Sequence, residues 1–503
     1  MFNYVISGGV RGVDGFLVRV EADVSSGMPG FELVGYLAGE VKEAVHRVRT
    51  ALKNAGFSIP IARVTVNLAP ADMKKTGTGY DLAIAISILS CMGDVRVEVL
   101  KDVFVVGELM LSGNVAYTRG ILPMLLKAKS EGYKKLIIPG ANKSEGELIE
   151  GADVICVDSL KEAVDYLNGE ADIAPLQSRL RNLLEDDNGT ECDFSDVRGQ
   201  SLAKRGIEIA AAGLHNILMI GPPGAGKTML ARCIPSILPP LSDKECLEVS
   251  SIYSIRGNME ESLVTKRPFV AAHHTSTDIG LVGGGNYIRP GAVSMAHTGV
   301  LFMDELPEFT RKALEALRQP LEDRLVNITR NKDVCTFPAD FMLVATMNPC
   351  PCGYYPDRKK CSCSDNMRSK YISKISGPLM DRIDISVTTS RVSPLELGSD
   401  IKSESSGDIR KRVIHAHNIQ QHRFRDRNIS FNSQMNNEDM ERFCVLNNDA
   451  KDVLLKLSEK YDISARSYVR IVKIARTIAD LADREMILSE DIMEAVRFKC
   501  SID

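Results

Sequence analysis

Apolar and polar residues alternate along FLVRVEADV (16–24), the pattern of a strand with one face on a core. In GEVKEAVHRVRTALKNAG (39–56) the apolar positions Val41, Ala44, Val45, Val48 and Leu52 recur three or four apart and Gly56 follows, which predicts an amphipathic helix with its stop. RVTVNLAP (63–70) returns to strand character, and TGTGYDLAIAISIL (76–89) opens a helix after a Gly-rich turn. VFVVGELML and KKLIIPG are short apolar runs of buried-strand type, and SLKEAVDYLNG adds a closing helix. Residues 1–170 therefore read as one α/β unit, and the polar, increasingly acidic stretch 171–192 as a linker.

From 193 to 392 the pattern changes. An apolar-faced helix ends at Gly213, and three apolar runs then each stop abruptly at polar residues: NILMIGPPG, GVLFMDELPEF and FMLVATMNP. Such runs predict buried strands of a parallel sheet, whose carboxyl ends are where ligands sit. Residues 393–503 carry only helical periodicity, with Ser464 and Ser489 as expected N-caps. The fold class expected is thus multi-domain α/β with a helical C-terminal segment.

Totals change this picture little. At 503 residues the chain is too long for one core, and about 150 residues per domain suggests three or four units. The net charge of −4 gives no bulk signal for nucleic acid, so such a partner would have to be held by local patches. No apolar stretch is long enough to span a bilayer, so no membrane partner is expected. Twelve cysteines without a leader favour a reducing, cytoplasmic compartment over a disulfide framework.

The chemistry concentrates at 221–228. Gly221-Pro222-Pro223-Gly224-Ala225-Gly226-Lys227-Thr228 follows an apolar strand and leads into a helix that begins near Lys227 and runs on through Met229, the context a phosphate loop requires. Its glycines let backbone N–H groups turn toward phosphate oxygens, and the helix N-terminus adds a positive dipole end. Lys227 is expected at the β/γ-phosphates and Thr228 on Mg2+. The spacing predicts a nucleoside-triphosphate site. Asp304 is then expected to hold Mg2+ and Glu305 to orient the attacking water. Separately, Cys350, Cys352, Cys361 and Cys363 form two Cys-x-Cys pairs eight residues apart. Four thiolates in a short loop suit a structural Zn2+ site, the alternative being four unligated thiols.

KKTGTGYDLAIAISIL and GELMLSGNVAYTRGILPMLLKAK resemble the Lon-type protease domain, with its ribosomal S5-like fold. Lon enzymes use a Ser nucleophile in the turn and a Lys base after the second motif. Here Gly79 or Tyr80 fills the turn, and Ile121, Leu122 and Pro123 follow Arg119-Gly120. A non-proteolytic scaffold or partner-binding module is expected.

GPPGAGKT, GVLFMDELPEF, VATMNPCPCGYY, SGPLMDRIDI and SARSYVRIVKIARTIADL together resemble the magnesium-chelatase-like AAA+ ATPases of the YifB/ComM competence group, across essentially the whole chain. The resemblance implies an AAA+ phosphate-loop core with a helical lid, ATP and Mg2+, and a homo-hexameric DNA helicase promoting branch migration. It further implies that Asn348 senses the γ-phosphate or the water, that Arg382 is an arginine finger reaching a neighbouring subunit, and that Arg466 is a second sensor with Arg470 as its rival. Arg476 is expected to be a solvated helix residue. Val197 and Gly199 become candidate base contacts. A loop around 280–290 and a basic hairpin at 324–340, with Arg330 and Lys332 at its tip, would line a DNA channel, and Arg358 near the cysteines would add charge. The alternatives are a chelatase motor subunit and a protein-remodelling adaptor.

Overall fold

A computed structural model describes residues 2–59, 61–180, 192–257, 263–285, 288–330, 333–357, 359–391 and 403–499. Lys332, Arg358, residues 181–191 of the 171–192 linker and the 392/393 junction lie outside the described residues. The chain forms two compact units, Met1–Asp187 with Asp243–Thr265, and Asn188–Ser242 with Lys266–Asp503.

The first unit is built on a seven-stranded mixed sheet. Its strand order is Gly30–Val34, Arg63–Ala69, Asp14–Ser25, Phe2–Arg11, Val103–Val105, Lys135–Pro139 and Asp153–Val157. Helix Asp81–Met92 is apolar on every side, and all of it but Met92 is buried. The two serines it buries are satisfied within the helix, Ser87 Oγ donating to Ile84 O and Ser90 Oγ to Ser87 O, each at 2.8 Å. The helix expected over 39–56 instead steps at Glu43 into Gly39–Lys42 and Ala44–Asn54. A Cβ at Gly79 would lie 3.0 Å from Thr118 and 3.2 Å from Val106, while Tyr80, Ile121, Leu122 and Pro123 are buried. These positions pack; they offer no Ser–Lys pair.

Helix Asp243–Arg256 belongs to this first unit although the phosphate loop precedes it in the chain. It buries Cys246, Val249 and Ile252, and Ser254 O accepts from Gly120 N at 3.1 Å while Ser254 Oγ donates to Glu145. The stretch 193–392, expected as one continuous core, is thus interrupted by an excursion. Apolar spacing fixes which face of a helix is buried but does not name the partner that buries it.

The second unit is built on a five-stranded sheet, its neighbours all paired in parallel, in the order Phe269–Ala272, Val300–Met303, Met342–Met347, Ile217–Ile220 and Ile385–Thr388. Helix Ser201–Gly213 packs on Ile217–Ile220 and Ile385–Thr388, and Lys227–Ile237 packs on Val300–Met303 and Met342–Met347. Among the described residues, five α-helices follow the last strand: Ser406–Phe424, Asn437–Phe443, Asn448–Lys460, Ala465–Leu481 and Ser489–Arg497. Their buried residues are continuous with the sheet's, so sheet and C-terminal helices share one core.

Two expectations for these helices need correction. Ser489 is the first helical residue, and Leu488 is the N-cap, its amide donating to Asp491 Oδ2 at 2.8 Å. Arg476 is fully buried, not solvated: its guanidinium donates to Asp480 at 2.9–3.1 Å, to Glu485 O at 2.5 Å and to Arg484 O. Periodicity could not reveal this, because Arg476 falls on the apolar face and finds its acceptors in the turn after the helix. Among the described residues no helix is long and apolar enough to cross a membrane.

Candidate nucleotide site

The parallel register brings four strand ends together, so Gly221, Asp304, Asn348 and Thr389 follow adjacent strands on the same edge of the sheet. A Cβ at Gly221 would strike Thr389 Oγ1 and O, so only glycine lets the loop leave its strand here. Gly224 (φ 76°) and Gly226 (φ 79°) take the left-handed turns that fold the loop back, and Gly226 is the N-cap of Lys227–Ile237. Pro222 O accepts from Ala225 N at 3.3 Å, and Ala225 is buried while Met229 is exposed. Gln200 was not anticipated. Held at φ 59°, its side-chain amide donates to Ala225 O at 3.1 Å and Ser390 O at 2.5 Å, tying the loop to the end of the neighbouring strand. Val197 and Gly199 lie just before it; Val197 is buried, and its carbonyl accepts from Lys204 Nζ and Ser403 Oγ.

Lys227 Nζ donates to Gly221 O at 2.6 Å, Pro222 O at 3.1 Å and Asn348 Oδ1 at 3.2 Å, so the ammonium sits inside the loop beside the expected sensor. Burial lowers its pKa below the ordinary lysine value, opposed by the charges of Asp304 and Glu305. Thr228 Oγ1 donates to Asp304 Oδ2 at 3.2 Å. The other oxygen, Oδ1, accepts from Thr346 Oγ1, which in turn accepts from Glu305 N at 3.1 Å. Thr346 lies on the expected sensor strand and is fully buried, so it fixes both acidic residues; nothing in its local sequence marks it. Glu305 is exposed and has φ 54°, a left-handed conformation unusual for a non-glycine residue. Lys227, Thr228, Asp304, Glu305 and Asn348 are brought together. An oxygen pair from Thr228 and Asp304 is a hard-donor set that fits Mg2+.

Arg382 and Arg466 are not part of this cluster. Arg382 O accepts from Asn216 Nδ2 at 2.8 Å, which places it at the opposite edge of the sheet, where Ile217–Ile220 begins. Its guanidinium donates to Pro378 O at 2.7 Å and to Glu322. Arg466 and Arg470 both pair with Asp381 at 3.3 Å; Arg466 is exposed and Arg470 largely buried. Glu322, Asp381, Arg382, Arg466 and Arg470 line a cavity of about 600 Å³.

The hairpin expected at 324–340 is present, Leu325–Arg330 pairing antiparallel with Asp333–Pro338. Arg330 donates to Gly285 O, within the loop whose Gly283–Gly284 and Arg289–Pro290 segments form a short ribbon. After Asn348, four sulfurs converge: Cys350, Cys352, Cys361 and Cys363 lie within 4.8 Å of one another.

Family models described as "Magnesium chelatase, subunit ChlI", "Subunit ChlI of Mg-chelatase" and "Magnesium chelatase, subunit ChlI C-terminal" match residues 193–397, 20–142 and 403–499. The chain is 39% identical over 502 residues to competence protein ComM of Haemophilus influenzae, covering 99% of this chain and 97% of that one. It is 37% identical over 493 residues to YifB of Escherichia coli, covering 97% and 95%. Over 144 residues it is 28% identical to Lon protease of Geobacter metallireducens, 27% of this chain and 17% of that protein.

Proposed function

The chain belongs to the magnesium-chelatase-like family that includes ComM and YifB, an AAA+ family that implies ATP hydrolysis with Mg2+, and on that premise we propose that it is a homo-hexameric ring motor that moves on DNA and promotes branch migration. One observation carries the motor reading. The acidic and phosphate-loop groups gather at one edge of the parallel sheet, while Arg382 and Arg466 lie at the other. Stacking one copy's arginine edge on the next copy's phosphate edge completes each site with a trans arginine.

Within that site Lys227 neutralises phosphate charge, and Asn348 holds it in place and faces the γ-phosphate. Thr228 and Asp304 would hold Mg2+, which supplies positive charge to the phosphate oxygens. Glu305 orients and deprotonates water, and Arg382 of the adjoining copy compensates charge developing on the transferred phosphoryl group. The N-terminal unit, without a Ser–Lys pair, acts as a scaffold or holds a protein partner. The hairpin with Arg330 and the ribbon beside it reach the DNA. A reducing, cytoplasmic compartment is the location that the cysteine-rich sequence favours.

ATPase rate with and without forked or four-way-junction DNA tests the proposal. Stimulation by DNA, falling as salt rises with about one unit of slope per phosphate-contacting Lys or Arg, is the expected result. Absence of stimulation, with tight binding of a partner protein, overturns it in favour of a chelatase-type or remodelling subunit, the reading that the chelatase family models favour.

A further inference from the structure

Most nucleotide-site residues arise from strand ends, but one wall comes from a loop that has no core of its own. Residues 350–363 are held by a few turn hydrogen bonds, among them Gly353 N to Cys350 O at 2.9 Å and Cys361 N to Asp357 O at 2.8 Å. Their side chains are largely polar, yet Cys350 and Cys363 are buried. The sulfur separations are 3.4 Å (Cys350–Cys352), 3.6 Å (Cys352–Cys361) and 3.7 Å (Cys350–Cys361). A disulfide requires about 2.05 Å. Four thiolates about 2.3 Å from a tetrahedral Zn2+ lie about 3.8 Å from one another. The observed spacings belong to the second arrangement. Backbone amides complete it, Tyr354 donating to the Cys352 sulfur, Cys363 to Cys361 and Cys352 to Cys363, the outer-shell pattern that holds thiolate ligands in place.

The same loop presses on the nucleotide site. Gly353 takes φ 83°, and a Cβ there would lie 2.6 Å from Pro223 Cδ and 3.8 Å from Asn348 Cγ. On the other side of the cluster, Ser364 caps helix Asp365–Ile372, and Tyr371 of that helix is buried against the Asn348 backbone.

We propose that Cys350, Cys352, Cys361 and Cys363 bind one Zn2+ as a closed structural site, and that the metal-tied loop braces Pro223 of the phosphate loop and Asn348 in their working positions. The second half rests on the reading of Pro223 and Asn348 as nucleotide-site residues; the first half does not. Zn2+ has no open position here and takes no part in hydrolysis.

Elemental analysis of the untagged full chain tests the metal. About one zinc per chain is expected, and Co2+ added to metal-free protein is expected to give the intense thiolate charge-transfer bands of a tetrahedral sulfur site. Cys361→Ser should lower the zinc content. Less than roughly 0.3 zinc per chain after growth in zinc-replete medium, together with no cobalt–thiolate band, overturns the site.

The brace is tested by Gly353→Ala, which keeps all four thiolates but puts a methyl group against Pro223. Zinc content should stay at wild-type level while ATP turnover falls by about tenfold to a hundredfold, the scale of a small displacement in a phosphoryl-transfer site. Unchanged turnover overturns the brace. If the wild-type protein fails to bind a fluorescent ATP analogue, the nucleotide reading fails instead, and the zinc result stands by itself.

Discussion

Glu305 keeps a left-handed backbone at φ 54° because its amide is hydrogen-bonded to Thr346 Oγ1, and the same hydroxyl donates to Asp304. A non-glycine residue pays about 1–3 kcal/mol for that conformation, so the surroundings must impose it. Thr346 is the imposing group: it holds the Glu305 backbone and the Asp304 carboxylate. Thr346→Val conserves the shape and removes the hydroxyl. It should reduce kcat for ATP by about 10- to 100-fold, as loss of an outer-shell partner does, while analogue binding is little changed; equal turnover would remove Thr346 from the mechanism. Glu305→Gln should likewise bind nucleotide and lose turnover, since the amide can neither take a proton from water nor be bypassed by Asp304, which is engaged by two hydroxyls. Retained turnover in that variant would take Glu305 out of its role.

At the scale of elements, helix Ala465–Leu481 carries arginines with opposite consequences. Arg476 is buried in a network with Asp480, Arg423 and two backbone carbonyls. Arg476→Ala removes one partner from a buried pair and should destabilise the second unit by about 3–5 kcal/mol, read as a fall in its thermal transition. Arg466 is exposed, and its pair with Asp381 contributes about 0–1 kcal/mol. Arg466→Ala should therefore leave that transition in place and reduce turnover only in assembled protein. The helix itself was legible from its periodicity and from Ser464, whose hydroxyl does accept from Ser467 N at 3.3 Å. The burial of Arg476 was not legible, because its acceptors come from the chain after the helix has ended. The same limit explains the rest of the comparison. The phosphate loop could be read directly, since its function needs consecutive residues, and the apolar runs marked the strands that present Asp304 and Asn348. Gln200 and Thr346 act on residues distant in sequence, and helix Asp243–Arg256 displays an apolar face without naming the unit that covers it.

For the whole molecule, Arg382 and Lys227 lie at opposite ends of the strand Ile217–Ile220, and the proposed ring can be tested on that separation. If the arginine acts in trans, an Arg382→Ala chain has an intact phosphate edge and a failed arginine edge. A Glu305→Gln chain has the reverse. Each alone should be nearly inactive. Mixed in equal amounts and allowed to exchange, they should regain ATPase activity, because an Arg382→Ala copy that receives its arginine from a Glu305→Gln neighbour has every group it needs. With random placement around a ring, about a quarter of interfaces have that order, so recovery should approach about a quarter of the wild-type rate. Recovery must also depend on total protein concentration, since it exists only in assemblies. A mixture no more active than its components would mean that the arginine serves its own chain, which the position of Asn216 between Arg382 and the strand leading to the phosphate loop opposes. The same mixture assayed with four-way-junction DNA separates motor from ATPase: a ring in which only some interfaces fire should lose branch migration more steeply than hydrolysis, because translocation requires neighbouring sites to act in succession.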